Sequence, residues 1–424
     1  MVILFLTDSI PPRSIGGAAR SVWRVAEQLH ALGNEIHIVT TVQDRQFVGS
    51  EQRDGITIYN LYSRYDERFR AYVSLYHRSV LRHLAPIFAR VRPDVIHADV
   101  IHYHISYAAL KIAKRCAPCV FLTARDFMMI AYGKLELKTR DCAAQDFRVG
   151  FWENFLRARK RFNPLRNPII RYYLRFVDVI FSNSALLANI LAQNRIPGVL
   201  PMHNGLLLQD SAVSDEGLLA FRRECELEGR DVVLFPARVS PAKGLQIVLE
   251  AMEEVAARMP DAVLLVVGVR EEDRTLLQER TRSVLAGRVR LFGWTSGETL
   301  RAAFASADVV LVPSLYPDPF PTVALEAALY KKPVIATCFG GAKEFVLDGQ
   351  TGYIVNPFEK ADVAEKIVEL LGNKERARQF GEAGYQRLKN SFTVAHQAER
   401  QLRYYRQCLA AKTTRGRKRK DAKD

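Results

Sequence analysis

The sequence of 424 residues predicts an α/β protein made of two doubly wound, Rossmann-like domains in series. The first observation is the length, which exceeds what one ordinary hydrophobic core supports. The second is a series of short Val, Ile and Leu segments without polar alternation, which is typical of parallel strands buried on both faces. The third is the helical pattern between these segments, which implies crossover connections and therefore two parallel sheets.

Eleven apolar segments are predicted to be strands. In the first half they are VILFL (2–6), EIHIVT (35–40), ITIYNLY (56–62), DVIHA (94–98), CVFLTA (119–124) and DVIFSN (178–183). In the second half they are DVVLFPA (231–237), AVLLVVG (262–268), VRLFGW (289–294), DVVLVPS (308–314) and PVIAT (333–337).

The predicted domains are 1–199 and 200–393, with the hinge near 195–230, where a weakly patterned acidic segment follows RIPGVLPMHNG. A helix at 394–411 is expected to pack back on the first domain. Its apolar residues recur at three-to-four spacing: Val394, Ala398, Leu402, Tyr405 and Leu409. Residues 412–424 are almost entirely polar and are predicted to form a disordered basic tail.

Composition and the length of the apolar runs indicate a globular protein without a signal peptide or a membrane span. The chain is 48% hydrophobic and 25% charged, as in soluble globular proteins. Its first apolar run ends at Thr7, which is too short for a signal peptide, and no run reaches the roughly 18 residues of a membrane span, so a cytoplasmic location is expected. The six cysteines, including the C-A-P-C of Cys116 and Cys119, are expected to be reduced thiols.

The positive charge is concentrated in the first half of the chain. Residues 1–200 hold 28 Lys and Arg against 16 Asp and Glu, whereas residues 201–411 hold 26 against 28. This asymmetry predicts that an acidic surface or substrate meets the first domain only.

Three motifs are placed to bind an anionic ligand. Gly16 and Gly17 follow the first strand and open a helix, whose free N–H groups attract anions. Arg238 and Lys243 lie beyond the end of a predicted parallel strand and could grip a diphosphate. In PSLYPDPFPTVALEAALYKKPVIATCFGG (313–341), Asp318 lies in a loop and Glu326 on the apolar helix that follows. A carboxylate on such a helix needs hydrogen-bonding partners.

Together these motifs resemble the retaining, nucleotide-sugar-dependent glycosyltransferases of the GT-B architecture, family 4, also called glycosyl transferases group 1. The resemblance includes the Gly-Gly loop, ARVSPAKG, HNG (203–205) and the long ordered motif at 313–355. It implies two Rossmann-like domains that face each other across a cleft, with the acceptor on 1–199 and the nucleotide sugar on 200–393.

The resemblance also implies roles for individual residues. Glu326 matches an acidic residue that accepts hydrogen bonds from the donor ribose, and Asp318 takes the place of one that contacts the transferred sugar. Arg238 and Lys243 match the pair that stabilises the departing diphosphate. Gly16, Gly17, Phe320 and Thr322 complete the expected donor-binding set, and Asp126 is retained as a catalytic residue.

The sequence departs from the family pattern at two positions. Asp318 stands where a glutamate is usual, and Arg125, in FLTARDFMMI (121–130), stands where a histidine often precedes the retained Asp126. Arg125, His97 and Asp99 are therefore acceptor-side candidates. No Asp-x-Asp motif accompanies these groups, so neither a metal nor another cofactor is expected beyond the nucleotide sugar, a UDP- or GDP-sugar.

A segment at 148–176 combines eight Lys and Arg with one acidic residue and several aromatic residues. It could be a solvated helical surface, a surface for anionic lipid or a surface for nucleic acid. Together with the resemblance it favours a membrane over nucleic acid, and peripheral contact with the inner face of the plasma membrane is expected.

The resemblance thus implies a hexosyltransferase of polysaccharide or cell-envelope biosynthesis, expected to be metal-independent, that acts on a lipid-linked saccharide or a surface polysaccharide. The alternatives are a transferase with a soluble acceptor and a binding subunit that has lost turnover.

Overall fold

The structure, a computed structural model, describes residues 1–14, 16–237, 239–282, 285 and 287–420. The chain divides into two compact units. The first unit contains residues 1–134, residues 147–205 and the chain from Val394 onward, and the second contains residues 135–146 and 206–393. The segment 135–146, which the sequence placed in the first domain, therefore belongs to the second unit.

The described strands form one sheet in each unit. Those of the first unit are β1 (Val2–Leu6), β2 (Glu35–Val42), β3 (Gly49–Arg53), β4 (Ile56–Tyr62), β5 (Val95–Asp99), β6 (Cys119–Ala124), β7 (Val179–Ser182) and β8 (Leu200–Pro201). Those of the second unit are β9 (Asp231–Pro236), β10 (Ala262–Val269), β11 (Val289–Gly293), β12 (Val309–Val312), β13 (Val334–Thr337) and β14 (Gly352–Val355).

Helices connect most of these strands. In the first half of the chain they are α1 (Gly17–Ala31), α2 (Arg70–Val73), α3 (Arg78–Val91), α4 (Ala109–Cys116), α5 (Phe151–Ala158), α6 (Arg166–Leu174) and α7 (Ala185–Gln193). In the second half they are α8 (Asp215–Glu224), α9 (Leu245–Arg258), α10 (Glu271–Arg282), α11 (Gly297–Ser306), α12 (Thr322–Leu329), α13 (Lys360–Gly372), α14 (Lys374–Ser391) and α15 (Val394–Lys420).

The strand orders confirm the predicted doubly wound sheets. The first sheet runs β3-β4-β2-β1-β5-β6-β7-β8 and the second β11-β10-β9-β12-β13-β14. Each described strand pair is parallel except β3 with β4, which form an antiparallel hairpin. The order reverses between β1 and β5 and again between β9 and β12. Doubly wound sheets bind ligands at such switch points, beyond the carboxyl ends of the strands.

The cores explain why the strand segments are so apolar. In β1, Ile3, Leu4, Phe5 and Leu6 are each at most 2% exposed, because helices cover both faces of a parallel sheet. The second sheet separates two apolar clusters. Val232 and Leu234 face one cluster and Val233 and Phe235 the other, as the alternation of side chains along β9 requires.

The last helix, α15, packs on α1 and β6 in the first unit. It extends to Lys420, so the prediction of a disordered tail from residue 412 is wrong for 412–420, and 421–424 lie outside the described residues. Two causes extend it. Ala410, Ala411 and Lys412 have high helix propensity, and the Lys412 ammonium lies 2.8 Å from the Asp178 carboxylate.

The cysteines differ from the prediction of reduced thiols. Cys119 is bonded to Cys408 and Cys142 to Cys338, whereas Cys116 and Cys225 are free. The paired cysteines are 289 and 196 residues apart in sequence, so their spacing gave no sign of the pairing. In a reducing cytoplasm both pairs would be neighbouring thiols.

Candidate functional site

Asp318 lies in a polar cluster beyond the switch point of the second sheet. The Lys243 ammonium is 2.5 Å from its Oδ2, the Tyr316 hydroxyl donates to the same oxygen at 2.9 Å, and the Ser314 hydroxyl does so at 3.4 Å. Asp318 is only 7% exposed. Burial and the Asp318 carboxylate raise the pKa of Tyr316, so its hydroxyl stays protonated and can donate. The cluster therefore fixes a cation and a carboxylate in one place.

Two glycines bring the loops of this cluster together. Gly244 follows Lys243 with a φ of +83°, and a Cβ there would lie 2.3 Å from the Pro313 carbonyl oxygen. A Cβ on Gly340 would lie 3.0 Å from the Asp318 carbonyl oxygen, which accepts a hydrogen bond from the Gly341 N–H at 2.8 Å. Larger residues at these positions would push the loops that carry Lys243 and Asp318 apart.

The remaining predicted donor residues have different environments. Glu326 is half-buried on α12, not fully buried as its apolar neighbours suggested, and Thr322 is the first residue of that helix. Phe320 is 6% exposed and its ring stacks on Phe392 in the hydrophobic core, so its side chain packs beneath the loop that carries Asp318. Arg238 lies outside the described residues.

The first unit has a cavity of about 720 Å³ at its own switch point. Gly16 lines it at the start of α1, where the helix has no side-chain cap. Nothing described lies within 4 Å of where a Cβ on Gly17 would stand, so the first turn of α1 is open to a ligand. Asp8, Arg125 and Asp126 also line this cavity.

Asp126 supplies a carboxylate to this cavity. Its Oδ2 lies 3.3 Å from His102 Nε2, and its Oδ1 accepts the Met128 N–H at 2.9 Å. Burial raises the pKa of Asp126, but His102, the Met128 N–H and the charge of Arg70 outweigh burial and hold it below its usual value. Asp126 can therefore accept a proton or a hydrogen bond from a bound hydroxyl group at neutral pH.

Arg125, which replaces the expected histidine, is held in place by a buried network. Its Nε and Nη2 donate to the two oxygens of Asp99, each at 2.6 Å, and its Nη1 donates to Asn204 at 2.6 Å. The Arg125 side chain is 6% exposed and that of Asp99 is 4% exposed. Burial raises the pKa of Asp99, although Arg125 opposes this. The pair connects the ends of β5 and β6 to the HNG motif, and both carboxylate oxygens of Asp99 are engaged by Arg125.

His97 is a core residue, and its assignment to the acceptor side is wrong. It is 1% exposed, its Nε2 lies 2.7 Å from the Thr123 hydroxyl, and its Nδ1 is bonded to the Tyr405 hydroxyl. Burial, with a contribution from Arg125, lowers the pKa of His97 to about 3, so the ring is neutral. The sequence could not show that α15 covers this strand.

Sequence reasoning missed several polar residues of these sites. Tyr316 and Ser314 gave only a weak signal, their nearness to Asp318 in PSLYPDP. Asp8 also gave a signal, because it lies two residues after the end of β1. Its carboxylate accepts the N–H groups of three successive residues, Tyr103, His104 and Ile105, at 2.6, 2.9 and 2.7 Å. Asp8 therefore shapes the loop after β5 and the wall of the cavity.

The segment 148–176 forms an exposed aromatic and basic surface on the first unit. Phe151, Trp152, Phe155 and Leu156 of α5 are 56%, 70%, 42% and 68% exposed. The rings of Phe151 and Phe155 contact Phe162 at centroid distances of 5.1 and 5.4 Å. The exposed cations Arg159, Lys160 and Arg161 follow directly after α5.

Two kinds of feature are absent from the described part of the chain. No helix there combines the length and apolar character needed to cross a bilayer. Nor do three or more His, Cys, Asp or Glu side chains there come together as metal ligands would.

Family models match both halves of the chain. The model for glycosyltransferase family 4 matches residues 15–206, and the model for glycosyl transferases group 1 matches residues 220–387.

Curated relatives match only part of the chain. A D-inositol 3-phosphate glycosyltransferase of Nocardia farcinica is 32% identical over 189 residues, which is 43% of this chain and 41% of the relative. A GDP-mannose-dependent α-(1-6)-phosphatidylinositol monomannoside mannosyltransferase of Mycolicibacterium smegmatis is 32% identical over 169 residues, or 38% of this chain and 44% of the relative. The aligned region thus spans less than half the length of these relatives.

Solved structures match nearly the whole fold. Sucrose-phosphate synthase of Thermosynechococcus elongatus aligns with a TM-score of 0.74 at 20% identity over 97% of this chain and 99% of the other. Anabaena HepE in complex with UDP aligns with a TM-score of 0.67 at 19% identity over 95% and 99%. At these identities the likeness establishes the shared architecture of two parallel-sheet domains, that of the GT-B proteins.

Proposed function

Because the chain belongs to the group 1, family 4 glycosyltransferases, we propose that it transfers a hexose from a nucleotide sugar to an acceptor with retention of anomeric configuration. The donor is held mainly by residues of the second unit, and the acceptor is bound by the first. We also propose that the reaction takes place in the cytoplasm and that it serves the synthesis of a polysaccharide or another cell-envelope saccharide.

The observation that carries the proposal is the cluster of Lys243, Tyr316 and Asp318 beyond the switch point of the second sheet. Lys243 supplies a positive charge for the diphosphate, together with Arg238, whose role rests on the sequence alone. Asp318, held by Tyr316, contacts the transferred sugar. Glu326 accepts the ribose hydroxyl groups, and Thr322 contributes the first turn of α12.

The chemistry we propose is mainly electrostatic. As the bond from the sugar to the diphosphate breaks, negative charge grows on the diphosphate, and a preorganised cation stabilises it more than it stabilises the bound donor. A donor phosphate oxygen takes the acceptor proton on the same face of the sugar, while Asp126 orients the acceptor hydroxyl. Side-chain cations fill the charge-stabilising role, so we propose no divalent cation requirement.

The donor base and the acceptor are also proposals. The structural neighbour HepE was solved in complex with UDP, and one relative is named as GDP-mannose-dependent. We therefore propose a UDP- or GDP-sugar as the donor. Relatives named for inositol phosphate and phosphatidylinositol mannoside favour an acceptor that carries phosphate or lipid. The exposed aromatic and basic surface supports a lipid-linked saccharide at an anionic membrane over a soluble acceptor.

The test is a panel of UDP- and GDP-sugars assayed by thermal unfolding and by sugar release or transfer. A bound donor should stabilise the protein by about 2.7 kcal/mol at one hundred times its Kd. Lys243→Ala and Arg238→Ala should each lower turnover on the order of 100-fold, since each removes a preorganised charge. Lys360→Ala, which removes an exposed ammonium 3.6 Å from Glu250, is the matched control and should leave turnover unchanged.

The results also separate the alternatives. A protein that binds no nucleotide sugar, or whose Lys243→Ala variant turns over within a few-fold of the wild type, contradicts the proposal. Donor binding without sugar release or transfer to any acceptor would identify a binding subunit. Arg125 does not by itself favour that outcome, because its guanidinium is engaged with Asp99 and Asn204 and leaves the donor groups intact.

A further inference from the structure

A second cavity of the first unit, of about 110 Å³, is lined by four arginines. They are Arg70, Arg157, Arg161 and Arg166, and Ser74 and Glu67 also line the cavity. A site for one water molecule needs about 10–15 Å³ by the same kind of measure, so this cavity has room for a larger polar group. The excess of cations over the one lining carboxylate favours an anion.

Three polar side-chain atoms of residues that line this cavity have no hydrogen-bond partner in the described part of the chain. Nε and Nη2 of Arg70 and the hydroxyl of Ser74 are buried there without a hydrogen bond. Ser74 is 2% exposed, and its N–H donates to the Arg70 carbonyl at 2.9 Å, so both side chains lie one helical turn apart on the same face. Buried polar atoms are rarely left unpaired in native proteins, and a missing ligand is one explanation.

Two of the other arginines are fixed by hydrogen bonds to neighbouring residues. Arg166 is 1% exposed, its Nη1 donates to Asn167 at 2.9 Å, and its Nη2 donates to the Met128 carbonyl. Arg157 donates to the Lys134 carbonyl at 2.5 Å and to Glu153 at 3.1 Å. Their positive charges are therefore held at the cavity wall before any ligand arrives, as a preorganised anion site requires.

We propose that this cavity binds a phosphate group of the acceptor. Arg70 and Ser74 donate hydrogen bonds to the phosphate oxygens, and Arg166, Arg157 and Arg161 supply charge. The inference rests on the proposed glycosyl transfer, because it assigns the phosphate to the acceptor of that reaction.

The position of the cavity supports an acceptor phosphate. Glu67 lines both this cavity and the larger one beside Asp126. Tyr103 lines the larger cavity, and the Arg70 guanidinium lies 3.6 Å from the centroid of its ring. A phosphate beside Arg70 would therefore hold the attached saccharide next to Asp126, where the acceptor hydroxyl is oriented.

The phosphate could belong to a lipid or to a soluble sugar phosphate. Arg161 lines the cavity and is also one of the exposed cations of the aromatic and basic surface, and the half-buried Arg157 belongs to the same segment. This continuity favours a phosphate attached to a membrane lipid.

Calorimetric titration with inorganic phosphate, at fixed ionic strength, tests the site. We expect the wild type to bind and Arg70→Gln to bind at least about tenfold more weakly, the scale of one hydrogen bond to a charged group. Ser74→Ala should also weaken binding while leaving the melting temperature of the free protein unchanged or higher, because it removes an unpaired hydroxyl. Arg68→Gln, the same substitution at an exposed arginine two positions away, is the matched control.

A second titration separates the sources of the phosphate. Dihexanoyl phosphatidic acid should bind more tightly than glycerol 3-phosphate if the ligand is a lipid, and equally if it is soluble. No phosphate binding by the wild type, or equal binding by wild type, Arg70→Gln and Ser74→Ala, would overturn the inference. Nucleotide-sugar binding in that case leaves the proposed function standing. If the protein binds phosphate but no nucleotide sugar, the cavity is an anion site, and its assignment to an acceptor phosphate is contradicted.

Discussion

At the scale of single residues, the buried charged groups beyond the two sheets differ in how they are paired. Asp318 shares its carboxylate with Lys243 and Tyr316, so a small rearrangement can redirect that cation to a ligand. Arg125 and Asp99 instead satisfy each other with two hydrogen bonds at 2.6 Å. Removing one partner of such a buried pair typically costs about 3–5 kcal/mol of stability. We therefore regard Asp318 as part of the chemistry and Arg125 as part of the framework.

The buried His97 predicts a specific dependence of stability on pH. Its pKa is about 3 in the folded protein and near 6.5 in the unfolded chain. Between these values the unfolded chain binds a proton that the folded chain excludes. The contribution of His97 is therefore fully present above pH 6.5 and is lost as the pH falls, by about 2 kcal/mol at pH 5.

His97→Gln should remove this dependence. Urea unfolding at pH 7.5 and pH 5.0 should show a variant that is less stable at pH 7.5 but loses about 2 kcal/mol less than the wild type on acidification. The exposed His83→Gln should keep the wild-type difference. If the His97→Gln and wild-type proteins lose equal stability, His97 is not held neutral by burial.

At the scale of elements, the sequence predicted the helices and strands whose pattern of apolar residues reflects how they are buried. The eleven apolar segments are strands, because burial on both faces leaves a run of Val, Ile and Leu in the chain. Three strands were missed. β14 (GYIV) is apolar and buried but only four residues long, and the other two carry no apolar run. β3 has the sequence GSEQR and pairs at the edge of its sheet, and β8 has only two residues. Edge strands face solvent, so their pattern resembles that of a loop.

The candidate site was predictable to a lesser extent. Lys243, Asp318 and Asp126 could be chosen because each follows a strand or belongs to a recognisable motif. The partners of Arg125 and His97 could not, because Asn204 and Tyr405 are 79 and 308 residues away. Such contacts depend on how the elements pack, and no local pattern encodes them.

The loop between β9 and α9 gives a prediction at this scale. Gly244→Ala should destabilise the protein by about 2–5 kcal/mol, since a left-handed residue costs about 1–2 kcal/mol and the clash with the Pro313 carbonyl adds to it. Gly297→Ala is the control. Gly297 has a φ of +64° with nothing described within 4 Å of its Cβ position, so only the left-handed cost applies.

Urea unfolding measures both glycine variants, and donor titration follows. Donor affinity should fall in Gly244→Ala, because the loop that carries Lys243 moves, and should not change in Gly297→Ala. Equal effects of the two substitutions on stability would show that the close approach at Pro313 does not constrain this loop.

At the scale of the whole molecule, charge and exposed aromatic residues coincide on the first unit. The excess of 28 cations over 16 acidic residues lies in residues 1–200, which include the exposed surface of 148–176. Each cation near an anionic leaflet contributes about 1 kcal/mol, and the attraction decays within about 10 Å at 0.1 M salt. Inserted aromatic side chains would add an apolar contribution that salt does not screen.

Sedimentation with phosphatidylserine vesicles tests this surface. We expect binding at low salt that weakens at high salt, and loss of most binding when Trp152 and Leu156 are both replaced by serine. Leu219→Ser, which removes an exposed leucine of the second unit, should bind like the wild type. A wild-type protein that ignores these vesicles at low salt would leave the soluble acceptor as the better proposal.

The return of α15 to the first unit affects the order in which the protein can be completed during synthesis. The first unit begins to emerge from the ribosome before the second, yet its core requires Tyr405, which the ribosome adds after the whole second unit. Nascent chains generally fold domain by domain from the N-terminus. Here residues 1–205 would emerge with the α15-facing side of β5 and β6 uncovered. Folding of the second unit during translation would then precede completion of the first.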